Sequence, residues 1–170
     1  MKKYLIFILL FSNFAQALTC KQAEDMAEYL SMDAAAFKKK YRDHKLAGHK
    51  DEPSIKLDDV NQARKVAYKL PALEDFGFTP VNSKDWKPLT VRMESSSLYG
   101  MKSGRTMTNA KGEIATVRID YDPVKGAHYN ISVMTKSGKG KESFKAAIKF
   151  DCNGRPCTKE EVIKLAKGLQ

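Results

Sequence analysis

The stretch IATVRIDYDPVKGAHYNISV, residues 114–133, decides the fold of this chain. Ala115, Val117, Ile119 and Tyr121 alternate with Thr116, Arg118 and Asp120. Beyond Asp122-Pro123-Val124-Lys125-Gly126 the alternation resumes, with Ala127, Tyr129, Ile131 and Val133 set against His128, Asn130 and Ser132. A period of two on both sides of a turn is the pattern of an antiparallel hairpin. One face is expected to pack, and the other to stay uncovered for chemistry. Pairing Tyr121 with Ala127 across the turn puts Asp120 opposite His128 and Arg118 opposite Asn130.

The same alternation continues at residues 143–150, where Phe144, Ala146, Ile148 and Phe150 oppose Lys145 and Lys149. Three successive strands make an antiparallel meander, with a basic loop at 136–141 between the second and third. A further strand is expected at Leu89–Met93, and the serine- and glycine-rich residues 95–105 read as a loop or clamp. Helices flank this β region. Thr19 with Gln22 forms a capping-box pattern ahead of Ala23, Met26, Ala27 and Leu30, and Asp33–Tyr41 is a second helical piece, either joined to the first or broken at 31–33. Asp59 with Gln62 opens a third helix that Pro71 ends, and Thr158 with Glu161 opens a closing helix that stops near Gly168. Arg42–Lys56 is polar and reads as a linker outside the core. The expected class is α+β: N-terminal helices, a small antiparallel sheet and a C-terminal helix. The division expected is a leader at 1–17, a helical segment and linker at 18–57, and an α+β domain at 58–170.

Met1-Lys2-Lys3, the apolar run to Phe14 and the exit Ala15-Gln16-Ala17 have the form of a cleavable secretory signal, too short to span a bilayer comfortably. The expected location is secreted or periplasmic, with no stable membrane span after cleavage. The chain carries 30 Lys and Arg against 20 Asp and Glu, a net charge of +10. Loss of Lys2 and Lys3 leaves most of that positive field, which suits RNA or another polyanion as partner without selecting among them. The three cysteines fit one bridge in an oxidising compartment. Cys152 with Cys157 closes a tight loop over an Asn-Gly step, and a bridge from Cys20 to either is the competing arrangement. Neither the spacing nor the partners suit a redox motif or a zinc site. His44 and His49, near Asp51 and Glu52, do not share a helix face and read as loop residues, so no metal site is expected.

RNA can be cleaved without a cofactor because its 2′-hydroxyl is the nucleophile; the protein has only to move protons and steady the charged phosphorane. His128 suits the general base or acid, Asp120 its orienting partner, and Arg118 and Lys145 the phosphate. Asn130 and Lys149 would bind substrate. A second contact is offered by Tyr99–Arg105, where glycines admit backbone to a phosphate and Lys102, Ser103 and Arg105 could complete a cradle.

Arg118–Ile131, with the following glycine- and lysine-rich loop and Phe144–Phe150, resembles the terminal portion of bacterial polymorphic-toxin nuclease domains of the barnase/EndoU/RelE-like ribonuclease group. The resemblance covers roughly Asp59–Phe150. It implies helices ahead of a small antiparallel sheet that bears the active site, a metal-independent endoribonuclease cleaving by internal transesterification, and an inhibitor protein as partner. From the family's His-x-Asn strand only His128 and Asn130 carry over. The alternative expectation is a non-catalytic basic protein of the cell envelope that binds a polyanion or a protein.

Overall fold

A computed structural model of the chain describes residues 18–91, 96, 98–135 and 142–168. Residues 1–17, read as a leader from the sequence, and the loop expected at 136–141 lie outside the described residues. In chain order the elements are helices α1 (Cys20–Ser31) and α2 (Ala34–Leu46), strand β1 (Ser54–Leu57), helices α3 (Val60–Tyr68) and α4 (Pro71–Asp75), strands β2 (Lys87–Thr90), β3 (Lys102–Thr108), β4 (Ile114–Asp122), β5 (Gly126–Met134), β6 (Glu142–Cys152) and β7 (Arg155–Pro156), and helix α5 (Lys159–Lys167). The fold is α+β.

The strands run β1-β6-β5-β4-β3-β2 across one sheet, with β7 paired to β6. β2 to β6 form a five-strand antiparallel meander, and β1 adds to it in parallel. The β4–β5 register has Tyr121 on Ala127, Asp120 on His128 and Arg118 on Asn130, as the turn length requires. Within the turn the Asp122 carboxylate accepts from the amides of Val124 and Lys125 at 2.8 and 2.9 Å, and Gly126 takes the positive φ of 76° that reverses the chain.

Helix starts follow the local chemistry. Thr19 and Thr158 both complete reciprocal capping boxes, whereas Asp59 accepts from Gln62 N with no return bond, and Gln62 Oε1 is buried without a partner. Asp33 caps α2 and separates it from α1. Pro71 opens α4 rather than merely ending α3, because its missing N–H costs nothing at a first helical position.

Two expectations are corrected. Residues 42–56 contribute to the core: α2 continues to Leu46, and β1 buries Ile55 and Leu57 while Ser54 and Lys56 face out. A four-residue strand shows too short an alternation to stand out beside polar flanks. Residues 102–108 are strand rather than loop, and the first strand of the meander sits at Lys87–Thr90; Met93 lies outside the described residues. Gly104 is the reason a glycine-bearing segment pairs here. A Cβ at that position would collide with the Val117 carbonyl and the Arg118 Cα, so only glycine lets β3 approach β4 this closely.

The apolar side of the sheet packs on the helices. Phe144 meets Phe37 of α2 at 5.4 Å and Phe76 at 5.5 Å between ring centres, and Tyr29 of α1 stands edge-on to Phe37 at 5.2 Å. Trp86 is anchored by its indole N–H on the Thr79 carbonyl at 2.8 Å. Cys152 and Cys157 are bonded across the β6–β7 turn, and Cys20 is free and exposed. Among the described residues no helix is long and apolar enough to cross a membrane.

Candidate functional site

Residues paired directly across strands share a face, so the register lays out the polar side of the sheet in rows. One row is Lys56, Lys149, His128 and Asp120. The next is Ser54, Ala147, Asn130, Arg118, Gly104 and Leu89. A third is Lys145, Ser132, Thr116, Thr106 and Lys87. Lys149 therefore stands opposite His128. Lys145 shares the face but lies four residues further along β6, about 13 Å from Lys149 along the strand, which places it away from the imidazole it was expected to assist at the phosphate.

The expectation of an uncovered row is overturned. His128 is 3% exposed, Asn130 7%, Asp120 8% and Ser132 8%. They are short side chains on the two central strands, flanked by the longer Arg118, Lys145 and Lys149, and Ser96 reaches Asp120 from the segment after β2. Lysines sit at the margins; the centre is closed.

Within that centre the bonds are specific. Arg118 donates to Asp120 Oδ2 at 2.8 Å, and Ser96 Oγ and the Tyr121 amide donate to Oδ1 at 3.3 and 3.0 Å. All of the Asp120 carboxylate is thus engaged by groups other than His128. The imidazole donates Nδ1–H to the Gly126 carbonyl at 3.0 Å, since a carbonyl can only accept, and this leaves the lone pair on Nε2. Thr116 and Ser132 share a 2.8 Å hydroxyl pair. Arg118 Nε is buried without a partner.

A buried carboxylate that the sequence did not announce lies at the margin. Glu52 is 5% exposed and bonds Lys125 of the hairpin turn at 3.0 Å, tying the segment before β1 to the β4–β5 turn. Burial works to raise its carboxyl, but the Lys125 hydrogen bond and the charges of Lys125 and Lys145 outweigh it and hold Glu52 below its ordinary value. Its signal in the sequence was only an acid next to Pro53, ahead of an apolar alternation too short to read.

The second expected contact does not assemble. Lys102 and Gly104 take one side of β3 while Ser103 and Arg105 take the other, and Ser103 is fully buried with its hydroxyl unpaired. No phosphate cradle forms from them. A separate cleft of about 450 Å³ is lined by Asn61, Arg64, Tyr129, Asp151, Asn153 and Lys164 among others, with none of His128, Asp120 or Asn130. Its three acids, Asp59, Asp151 and Glu161, outnumber its two cations, Arg64 and Lys164. In comparisons with known proteins no family model and no curated protein matches the chain.

Proposed function

We propose that the chain is an exported basic protein that holds an anionic polymer against the lysine-edged face of its sheet without turning it over. The observation that carries this reading is the charge of that face. Lys56, Lys87, Lys102, Arg118, Lys145 and Lys149, six cations, share it with three carboxylates, Asp120, Asp122 and Asp151. Lys87 and Lys102 are exposed at one margin and Lys56 at the other, spread widely enough to follow a backbone of repeating negative charge. Export is supported by the leader pattern at 1–17 and by the Cys152–Cys157 bridge, which an oxidising compartment maintains.

A second reading, the metal-independent ribonuclease, is favoured by one feature: the Gly126 carbonyl fixes the His128 tautomer and leaves Nε2 able to take a proton. Against it stands access. A 2′-hydroxyl must come within hydrogen-bond reach of Nε2, and a ring 3% exposed beside a carboxylate already engaged by Arg118 offers little room.

One experiment separates them. The mature protein is titrated with fluorescent RNA and with an acidic polysaccharide in chelator over a series of salt concentrations, and the RNA is examined for cyclic-phosphate ends. Holding predicts affinity that falls steeply with salt, with similar loss from Lys87→Ala, Lys102→Ala and Lys149→Ala and none from His128→Ala. Cyclic-phosphate ends formed by the wild type and not by His128→Ala would replace holding by cleavage. Salt-independent or absent binding would sink both.

A further inference from the structure

Away from the sheet face, the end of α2 gathers three metal-ligating side chains. His44 lies in the last turn of the helix, and the chain then reverses through Gly48 at φ 85°, with Ala47 N bonded to Asp43 O, Gly48 N to Lys45 O and His49 N to His44 O. This turn lays the His49 ring on the His44 ring, centres 4.2 Å apart and planes 15° from parallel. Asp51 follows, its Oδ1 3.3 Å from His44 Nε2. The five-residue spacing of the two histidines hides this in the sequence, because it is the helix end and not a helix face that unites them. The potential donor atoms of all three lie within 4.8 Å of one another.

We propose that His44, His49 and Asp51 form a site for one divalent transition-metal ion of the zinc or copper kind. Two imidazoles are borderline ligands, and with one carboxylate they suit such ions and not calcium or magnesium, which favour all-oxygen shells. Donors about 2.1 Å from a tetrahedral ion stand about 3.4 Å apart, so the widest separation has to close by about 1.4 Å. The exposed His49 ring closes it by rotating out of its stack. The backbone needs no such movement, because the Lys45 ammonium already clamps the carbonyls of His49, Lys50 and Asp51 at 3.4, 2.7 and 3.0 Å. That preorganisation favours binding, while the same ammonium repels a cation, and micromolar rather than nanomolar affinity follows. Three protein ligands leave a position for water or a further ligand. Bound there, the ion would join the end of α2 to the segment that leads through Glu52 into β1. This inference is independent of the polyanion reading.

The test is calorimetric titration of the untagged mature chain carrying Cys20→Ser, which removes the exposed thiol as a competing ligand, with Zn²⁺ and separately with Cu²⁺. One equivalent is expected at micromolar affinity, weakened tenfold or more by His49→Ala and by His44→Ala and unchanged by His128→Ala. His49 is exposed, so its replacement leaves the fold intact, and circular dichroism checks that His44→Ala is folded. Asp51→Asn is expected to weaken binding less than either histidine change. Absence of a saturable one-equivalent site, or the same affinity in His49→Ala, would overturn the proposal.

Discussion

Asp120 and His128 stand directly opposite each other on β4 and β5, yet the Asp120 carboxylate bonds Arg118, Ser96 and its own strand, and the His128 Nδ1–H bonds the Gly126 carbonyl. Adjacent groups with separate partners form a structural pair more than a relay. Asp120→Asn keeps the shape but removes the charge that answers Arg118, which is itself only 21% exposed. We expect it to lower stability by about 1–3 kcal/mol, read as a shift of the urea midpoint, while RNA affinity rises slightly because a negative charge leaves the face. A drop in affinity with unchanged stability would assign Asp120 to ligand contact instead.

The hairpin was legible because its two strands are nine residues each and alternate without a break, so period, turn and register all pointed the same way. The closing helix and its cap were legible for the same reason: Thr158, Glu161 and Gly168 are local signals read over a few residues. What alternation does not convey is how deep a polar row sits. Asp120, His128, Asn130 and Ser132 read as a solvent face, but a sheet six strands wide buries the short side chains of its middle strands under the long ones beside them. The same limit hid β1, whose place is set by parallel pairing with β6 more than ninety residues away.

Gly104 supplies a sharper test of the β3–β4 contact. Gly104→Ala places a methyl against the Val117 carbonyl and the Arg118 Cα, both backbone atoms that no rotamer change can move. The strands must separate locally. We expect a loss of about 1–3 kcal/mol, with faster amide exchange at Thr106 and Thr116. Gly100→Ala, which meets open space but sits at φ 76°, should cost less.

Glu52 and Lys125 bind the segment before β1 to the hairpin turn, and removing one leaves the other exposed to the cost of burial. Lys125→Met leaves a carboxylate 5% exposed without its hydrogen-bond partner. About 2 kcal/mol of destabilisation is expected, less than for a fully buried pair because Lys125 is 27% exposed. The double variant Glu52→Gln with Lys125→Met should recover part of it. Because the folded protein holds Glu52 below its ordinary value, the pair's contribution is complete above the unfolded carboxyl's range and fades as pH falls through the folded value. Lys125→Met therefore moves acid unfolding to higher pH, and identical acid transitions in the two proteins would refute the coupling.

At the C-terminal end the Arg155 guanidinium holds Glu161 by bonds of 2.6 and 3.0 Å, and with the Thr158 amide at 2.8 Å it lowers the Glu161 carboxyl to about 2. The β6–β7 turn, bridged by Cys152 and Cys157, thereby docks on the first turn of α5 through one side chain. A depressed carboxyl contributes stability that is full above the unfolded value near 4.5 and is lost as pH falls toward 2. Glu161→Gln removes this contribution and part of the helix cap together, so its melting temperature should lie below the wild type's at pH 6 and converge with it near pH 2. Reducing the bridge is a separate loss, about 2 kcal/mol from the entropy regained by a short loop, and it should be nearly the same at both pH values. A Glu161→Gln deficit that persists undiminished at pH 2 would show that the carboxylate's charge has no part in fastening α5.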